Sequence, residues 1–364
     1  MDRYILPHRS AMSSINCHPS MQLLPHRKWQ SELSQIIRSV EELLEFTGNK
    51  PGDLDELDTI DSDFPLRVPR PYASRIQRGN PYDPLLRQVL PIALENLSVP
   101  GYVSDPLDEA NSNTMSGVIH KYHGRVLLIL AGSCAINCRY CFRRSFPYQA
   151  NQNSSAEWNL ALDYIRQHND ISEVILSGGE PLIHSDDRLR QLVSSIADIA
   201  HVKRLRVHTR LPIVIPQRVT SGMLDWLTHS RLQTIVVLHT NHAAEIDDEV
   251  FAALHRIKSC GVTLLNQSVL LKGVNDDLGT LKQLSERLFE AGAMPYYLHL
   301  LDKIEGAAHF DVATPRAQQL VGQLCATLPG YLVPKLVREC AGEPAKTPIL
   351  ALPDNYFHST KKFL

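Results

Sequence analysis

Cys134, Cys138 and Cys141 lie within eight residues of one another, in Gly132-Ser-Cys134-Ala-Ile-Asn-Cys138-Arg-Tyr-Cys141, with the spacing C-x3-C-x2-C. Seven cysteines in 364 residues would yield such a triple by chance roughly 0.003 times. The other four, Cys17, Cys260, Cys325 and Cys340, are scattered. An odd total in a long chain does not read as a secreted disulfide framework. The crowding reads as metal or cluster ligation in a reducing compartment. A closed zinc site needs four N or S ligands, which His120 and His123 could complete, so that alternative stays open. Redox exchange needs fewer thiols than three. Three thiolates suit a [4Fe–4S] cluster, which normally takes four, and leave one iron open to a small molecule. Cys260, Cys325 and Cys340 read as small buried apolar residues.

A second candidate is Ser177-Gly178-Gly179-Glu180-Pro181. Alone, a glycine pair marks a tight turn. It also removes the side chains that would keep a ligand from the backbone.

These residues need a scaffold, and the hydrophobic pattern supplies one. Strand-like runs at 126–131, 173–177, 204–208, 234–239, 262–268 and 294–300 alternate with helical stretches at 155–168, 187–200, 220–230, 247–259 and 277–291. Such alternation predicts a parallel sheet with helical crossovers. Six right-handed units in series predict an open α/β barrel. Cys134 follows the first of these strands, Gly178 and Gly179 the second. Active sites of such folds gather at these carboxyl ends. Upstream, Leu33, Ile36, Ile37, Val40, Leu43 and Leu44 fall on one face of a single helix that begins near Trp29 and stops at Gly48. Residues 49–106 are rich in Pro and Asp and predict short helices and extended connectors wrapped over the barrel. Residues 1–28 are polar and irregular, the pattern of a disordered extension or of an overlong start.

Hydrophobic residues are 43% and charged residues 21%; Lys+Arg total 37 against 39 Asp+Glu, a net charge of −2. That balance argues against a chain-wide nucleic-acid or membrane surface. No run approaches 18 apolar residues, so no spanning helix is expected, and no secretory signal is recognisable. A cytoplasmic location is the expectation.

A C-x3-C-x2-C run after the first strand of an α/β barrel, with an aromatic residue (Tyr140) before the third cysteine, resembles the signature of radical S-adenosylmethionine (SAM) enzymes. In those, the open iron chelates SAM, and one electron cleaves it to a 5′-deoxyadenosyl radical. Gly178-Gly179-Glu180 is similar to their GGE motif, which supports the SAM amino group. The resemblance narrows through His120-Lys121-Tyr122-His123-Gly124-Arg125, Cys141-Phe-Arg143-Arg144, Leu211-Pro-Ile-Val-Ile-Pro-Gln-Arg218, Asn266-Gln-Ser-Val-Leu-Leu271 and Pro295-Tyr-Tyr297. Together these resemble lysine 2,3-aminomutases, from about Asn80 to Pro348. Asn80-Pro-Tyr-Asp-Pro-Leu-Leu-Arg-Gln-Val89, Cys141-Phe-Arg-Arg-Ser-Phe-Pro-Tyr148 and Gly330-Tyr-Leu-Val-Pro-Lys-Leu336 are most similar to the subgroup that makes (R)-β-lysine for modifying elongation factor P (EF-P).

The resemblance implies an α/β fold: a radical SAM partial (β/α)6 barrel at 120–310, an N-terminal helical and irregular wrap at 29–119, and a short C-terminal segment at 311–364 that binds pyridoxal phosphate (PLP). It implies Cys134, Cys138 and Cys141 as ligands of the [4Fe–4S] cluster, and Gly178, Gly179 and Glu180 at SAM. Lys346, in Gly342-Glu-Pro-Ala-Lys346, would hold PLP covalently, though the family segment is richer in Gly. Lys121, Tyr122 and Arg125 would cradle the PLP phosphate. Arg143 would pair with the substrate carboxylate, and Asp302 and Glu339 with the substrate ε-ammonium. Glu339 stands where the family has Asp. Read alone, each of these charges is an ordinary solvated side chain. The C-terminal cysteine-containing extension of some members is missing, so no structural zinc is expected. Implied partners are L-lysine, an electron donor such as flavodoxin or ferredoxin, a separate β-lysine ligase and EF-P, with no nucleic acid and no membrane; the chain has no P-loop of its own. The alternatives are an aminomutase making free β-lysine for metabolism, and a non-catalytic, metal-stabilised interaction protein.

Overall fold

A computed structural model describes residues 28–53, 64–147 and 155–352. Ten strands form one sheet in which spatial order follows chain order: β1 (Asn113–Met115), β2 (Val118–Tyr122), β3 (Arg125–Ala131), β4 (Glu173–Gly178), β5 (Arg204–Thr209), β6 (Gln233–His239), β7 (Thr263–Val269), β8 (Met294–His299), β9 (Lys335–Arg338) and β10 (Thr347–Pro348). The neighbours from β3 to β9 pair in parallel; β1, β2 and β10 pair antiparallel at the two edges. The expected open barrel is therefore present, with its six predicted strands as β3 to β8.

Several of the crossover helices are fixed at their start by a side chain. Ser185 accepts a hydrogen bond from the Arg188 amide ahead of Asp186–Ala197, Asp247 from Val250 ahead of Asp248–Ser259, and Asp277 from Thr280 ahead of Leu278–Glu290. Such caps contribute about 1 kcal/mol each. The inward faces carry Leu189, Leu192, Val193 and Ile196 on one helix and Val250, Ala253, Leu254 and Ile257 on another, all buried against the sheet. β4 is buried along its whole length, as a central parallel strand covered on both faces must be.

Three features depart from the expected pattern. The single helix predicted from Trp29 to Gly48 is two, Trp29–Ser34 and Val40–Thr47. Between them Ile37 pairs with Val68, its amide donating to Val68 O at 2.9 Å and its carbonyl accepting from Val68 N at 3.0 Å. The chain restarts its helix at Ser39, whose hydroxyl caps Glu42 N, and ends it at Gly48, in the left-handed region at φ 72°. A tertiary pairing outcompetes a propensity that is weak at the β-branched Ile36-Ile37. Second, the basic segment 120–125, ahead of the first predicted strand, is part of a hairpin. Tyr122 pairs with Arg125 across His123-Gly124, and Gly124 supplies φ 73°. Third, a seventh parallel strand, β9, closes on β8. Only Leu336 and Val337 are buried there, between exposed Lys335 and Arg338, so its apolar run is too short to announce itself. The expectation for the N-terminal extension falls almost wholly on residues 1–27, outside the described residues. No helix among the described residues is long and apolar enough to cross a membrane.

Candidate functional site

The carboxyl ends of β3 to β8 surround a cavity of about 990 Å³, at the upper end of the range for ligand sites. The thirteen site residues implied by the resemblance all line it: Lys121, Tyr122 and Arg125 from the β2–β3 hairpin, Cys134, Cys138, Cys141 and Arg143 from the loop after β3, Gly178 at the end of β4 with Gly179 and Glu180 following, Asp302 after β8, Glu339 after β9, and Lys346 just before β10. His120 and His123 are not in its wall. His120 Nδ1 lies 2.8 Å from the Tyr164 hydroxyl, and His123 is exposed beside Asp170.

The cysteine loop is seated on the glycine pair. Gly179 N donates to Ala131 O at 2.8 Å and Glu180 N to Ser133 O at 3.0 Å. A Cβ at Gly179 would stand 2.3 Å from Ser133 O, and one at Gly178, where φ is 112°, 2.9 Å from Ile129 Cγ2. The missing side chains thus let the loop itself approach β4. The loop is also clamped from behind. Arg139 Nε donates to Glu95 at 2.7 Å, Arg144 Nη2 to the same carboxylate at 2.8 Å, and Arg139 and Glu95 are both buried. Burial pushes the Cys134 thiol well up and the Cys141 thiol to about 11, with neighbouring cysteines adding to both. Such thiols deprotonate when a cation takes the proton's place. All three cysteines are free of disulfides. Among the described residues no three His, Cys, Asp or Glu groups converge as ligands of one ion. A cubane does not ask them to, because each thiolate takes a different iron. Three thiols on one cavity wall therefore fit a [4Fe–4S] cluster with one open corner.

Glu180 accepts from Thr209 Oγ1 at 2.6 Å and from the amides of Leu182, Arg210 and Leu211 at 3.0, 2.9 and 3.1 Å. Burial raises its carboxyl pKa, and these donors oppose the rise. The side chain expected at the SAM amino group thus also pins the turn after β5 to the turn after β4.

The other end of the cavity is built around Glu339. One oxygen accepts from Tyr122 Oη at 2.8 Å and from Lys121 Nζ at 3.2 Å; the other pairs with Lys346 Nζ. β2, β9 and the start of β10 so converge on one carboxylate, and burial's upward push is overcome by Lys346, Tyr122 and Lys121, which hold Glu339 down at about 2. Burial and the Glu339 charge instead push Asp302 up to about 7. An amine that can carry PLP, with two cations and a phenol beside it, fits that cofactor. Arg125 lies 4.6 Å from the centre of the Tyr122 ring. Arg143 is occupied: Nε and Nη2 donate to the two oxygens of Glu109 at 2.7 and 2.6 Å.

Further residues line the wall beyond those named from the motifs. His208, His239 and His299, on β5, β6 and β8, are held neutral by burial, which lowers His239 and His299 to about 3 and His208 well below its usual value. Gln267 on β7 places its amide nitrogen 3.0 Å from His239 Nε2. Arg210, buried after β5, reaches the cysteine loop. The inward alternation of the strands could have marked the histidines; nothing local marks Arg210 or Glu109.

Residues 128–284 match the radical SAM superfamily. L-lysine 2,3-aminomutase of Haemophilus influenzae is 47% identical over 90% of this chain and 99% of its own length. The Escherichia coli enzyme of the same name is 48% identical over 88% and 94%, and that of Clostridium subterminale 32% identical over 88% and 77%. With the barrel, the cysteine loop and the cavity in place, this similarity along nearly the whole of a relative means that the chain belongs to the lysine 2,3-aminomutase family of radical SAM isomerases.

Proposed function

We propose that the chain converts L-lysine to (R)-β-lysine, with Cys134, Cys138 and Cys141 holding the cluster and Lys346 holding PLP. The cofactors of the family are a [4Fe–4S] cluster, SAM and PLP. The cluster and SAM supply one-electron chemistry, and PLP supplies the carbonyl that carries the migrating amino group. What supports the reading is the meeting of thirteen residues, named from separate motifs, in the wall of one cavity. Gly178 and Gly179 seat the cluster loop and leave backbone open to SAM. Lys121, Tyr122 and Arg125 offer donors to a phosphate.

The substrate carboxylate goes to Arg143, which must then share its guanidinium with Glu109 or release it. The substrate ε-ammonium goes to Asp302 and Glu339. Lys346, Lys121 and Tyr122 all engage Glu339 in the free protein, so the incoming ammonium would have to share that carboxylate with them or displace them. His208, His239 and His299, held neutral in the wall, take up space that water would fill and add no positive charge beside a substrate that carries an ε-ammonium. An electron donor such as flavodoxin or ferredoxin supplies the electron.

The test is the product made from L-lysine by anaerobically reconstituted protein. (R)-β-lysine is expected; unchanged lysine in the presence of intact cluster, SAM and PLP contradicts the reading. Borohydride should fix PLP on a peptide containing Lys346, and fixation on another lysine would remove that residue from its role.

The destination we infer is EF-P, through a separate ligase. It rests on the motif segments at 80–89, 141–148 and 330–336 and on Glu339 in place of Asp. Deleting the gene should lower the intact mass of EF-P by its modification. Unmodified mass in the parent strain, or an unchanged mass with loss of free β-lysine, would favour the metabolic role.

A further inference from the structure

Arg210 follows β5 and is buried, yet no motif or expected role accounts for it. Both terminal nitrogens of its guanidinium are engaged, whereas Nε has no hydrogen-bond partner among the described residues. Nη2 donates to Gln88 Oε1 and to Glu245 Oε2, both at 2.8 Å, and Nη1 donates to Tyr140 Oη at 2.7 Å and to Cys138 Sγ. Its own amide donates to Glu180 at 2.9 Å. Glu245 is in turn immobilised: one of its oxygens accepts from the amides of Asn241 and His242 at 2.9 and 3.0 Å and from Gln88 Nε2 at 3.3 Å. Tyr72 and Tyr140 present ring faces 5.5 and 5.8 Å from the guanidinium carbon. A fixed cation is thus aimed at the sulfur of a cysteine in the cluster loop and backed by one buried carboxylate.

Burying a guanidinium is costly unless it is paired, and Glu245 alone would satisfy its charge. The fork continues past that partner to a thiol that is a poor acceptor when protonated and a strong one as thiolate. Hydrogen bonds to cluster sulfurs and local charge are the means by which a protein sets a cluster's reduction potential.

We propose that Arg210 tunes the cluster through Cys138, favouring the reduced state, and that Glu245 sets how much of its charge the cluster feels. The step is the addition of one electron from an external low-potential donor; no bond forms or breaks and no proton moves. Reduction adds a negative charge to the cluster, and a preorganised cation stabilises it without reorganising. The inference rests on the cysteine assignment above.

The test is an EPR-monitored redox titration of the anaerobically reconstituted full chain, without SAM, on wild type, Arg210→Gln, Arg210→Lys and Glu245→Gln. Hydrogen bonds to charged groups are worth about tenfold or more in an equilibrium. Arg210→Gln should therefore lower the midpoint by a tenfold change in the reduction equilibrium or more, about 59 mV for one electron. Arg210→Lys, which keeps the charge but loses the fork, should fall between it and wild type. Glu245→Gln should move the midpoint the other way, since it unmasks the cation. A merely structural role would shift iron content without this pair of opposite signs. An Arg210→Gln midpoint equal to wild type overturns the proposal. If that variant takes up no cluster, Glu245→Gln decides: a positive shift supports it, and no shift or a negative one overturns it. A wild-type chain that binds no iron or sulfide would show itself before any titration and would bring down the cysteine assignment instead.

Discussion

The two ends of the cavity solve different problems. At the cysteine end, one loop of eight residues carries all three thiols, and the protein's work is to hold that loop still: glycines beneath it, Glu95 clamping Arg139 and Arg144 behind it, Arg210 across it. At the lysine end, no single loop carries the site. Tyr122 and Lys121 come from a hairpin towards one edge of the sheet, and Glu339 and Lys346 from the connection between β9 and β10 at the other, so that the curved sheet brings its two edges together around one carboxylate. The first end is a local motif made rigid; the second exists only as tertiary structure. The contrast extends to charge. Burial pushes the Cys134 and Cys141 thiols up, whereas surrounding cations hold Glu339 down.

Replacing any one of Cys134, Cys138 or Cys141 by Ala should produce the largest effect, abolition of reductive SAM cleavage. It should leave PLP fixation at Lys346 intact, which liquid chromatography of 5′-deoxyadenosine and borohydride trapping would separate. Simultaneous loss of both would mean that the two ends are not independent.

Gly179→Ala tests the seating of the loop. A Cβ there meets Ser133 backbone rather than a flexible side chain, and overpacking of this kind costs about 1–3 kcal/mol. Iron content after reconstitution should fall severalfold, with the thermal midpoint lowered by only a few degrees. Full iron content would mean that the close approach is dispensable.

Glu339→Gln acts on the other end. Charge-assisted hydrogen bonds contribute about 1.5–3 kcal/mol each, so kcat/KM for L-lysine should fall about ten- to a hundredfold while the cluster's EPR spectrum is unchanged. Because the Glu339 carboxyl is held at about 2, below its ordinary value, its stabilising contribution is complete above the unfolded value and disappears as pH falls towards 2. The variant should accordingly lose stability at neutral pH and approach wild type in acid, read by denaturant unfolding at each pH.

The smallest effect concerns Asp302. Its folded value of about 7 lies above the ordinary one, so the sign is opposite: the fold favours protonated Asp302, and that advantage is lost as pH rises through 7. Binding an ammonium requires the carboxylate. kcat/KM should rise with pH up to about 7, and Asp302→Asn should flatten that limb while lowering the plateau. A limb that persists in Asp302→Asn would assign it to another group.

The same contrast explains what was legible in the sequence. The cysteine end shows itself in spacing alone, and the strands from β3 to β8 in apolar runs long enough to be counted. Lys346, Glu339 and Lys121 do not stand out as residues; they gain meaning from resemblance to a family, because a lone charged side chain has no local pattern. β9 escaped since two buried residues make no periodicity, and Ile37 broke a helix by pairing with Val68, a partner 31 positions away. Arg210 and Glu109 were invisible for the same reason as the break at Ile37: their partners are distant in the chain, and buried ion pairs follow from topology rather than composition.

If both ends of the cavity act on one substrate, a hydrogen must pass from that substrate at the lysine end to the SAM-derived radical at the cysteine end. The most direct test follows the deuterium of L-lysine labelled at C3 when the reconstituted chain reacts with SAM, with and without PLP. Deuterium should appear in 5′-deoxyadenosine, alongside β-lysine, only when PLP is present and Lys346 is intact. Labelled 5′-deoxyadenosine without PLP, or cleavage of SAM with neither label transfer nor β-lysine in the complete system, would contradict it.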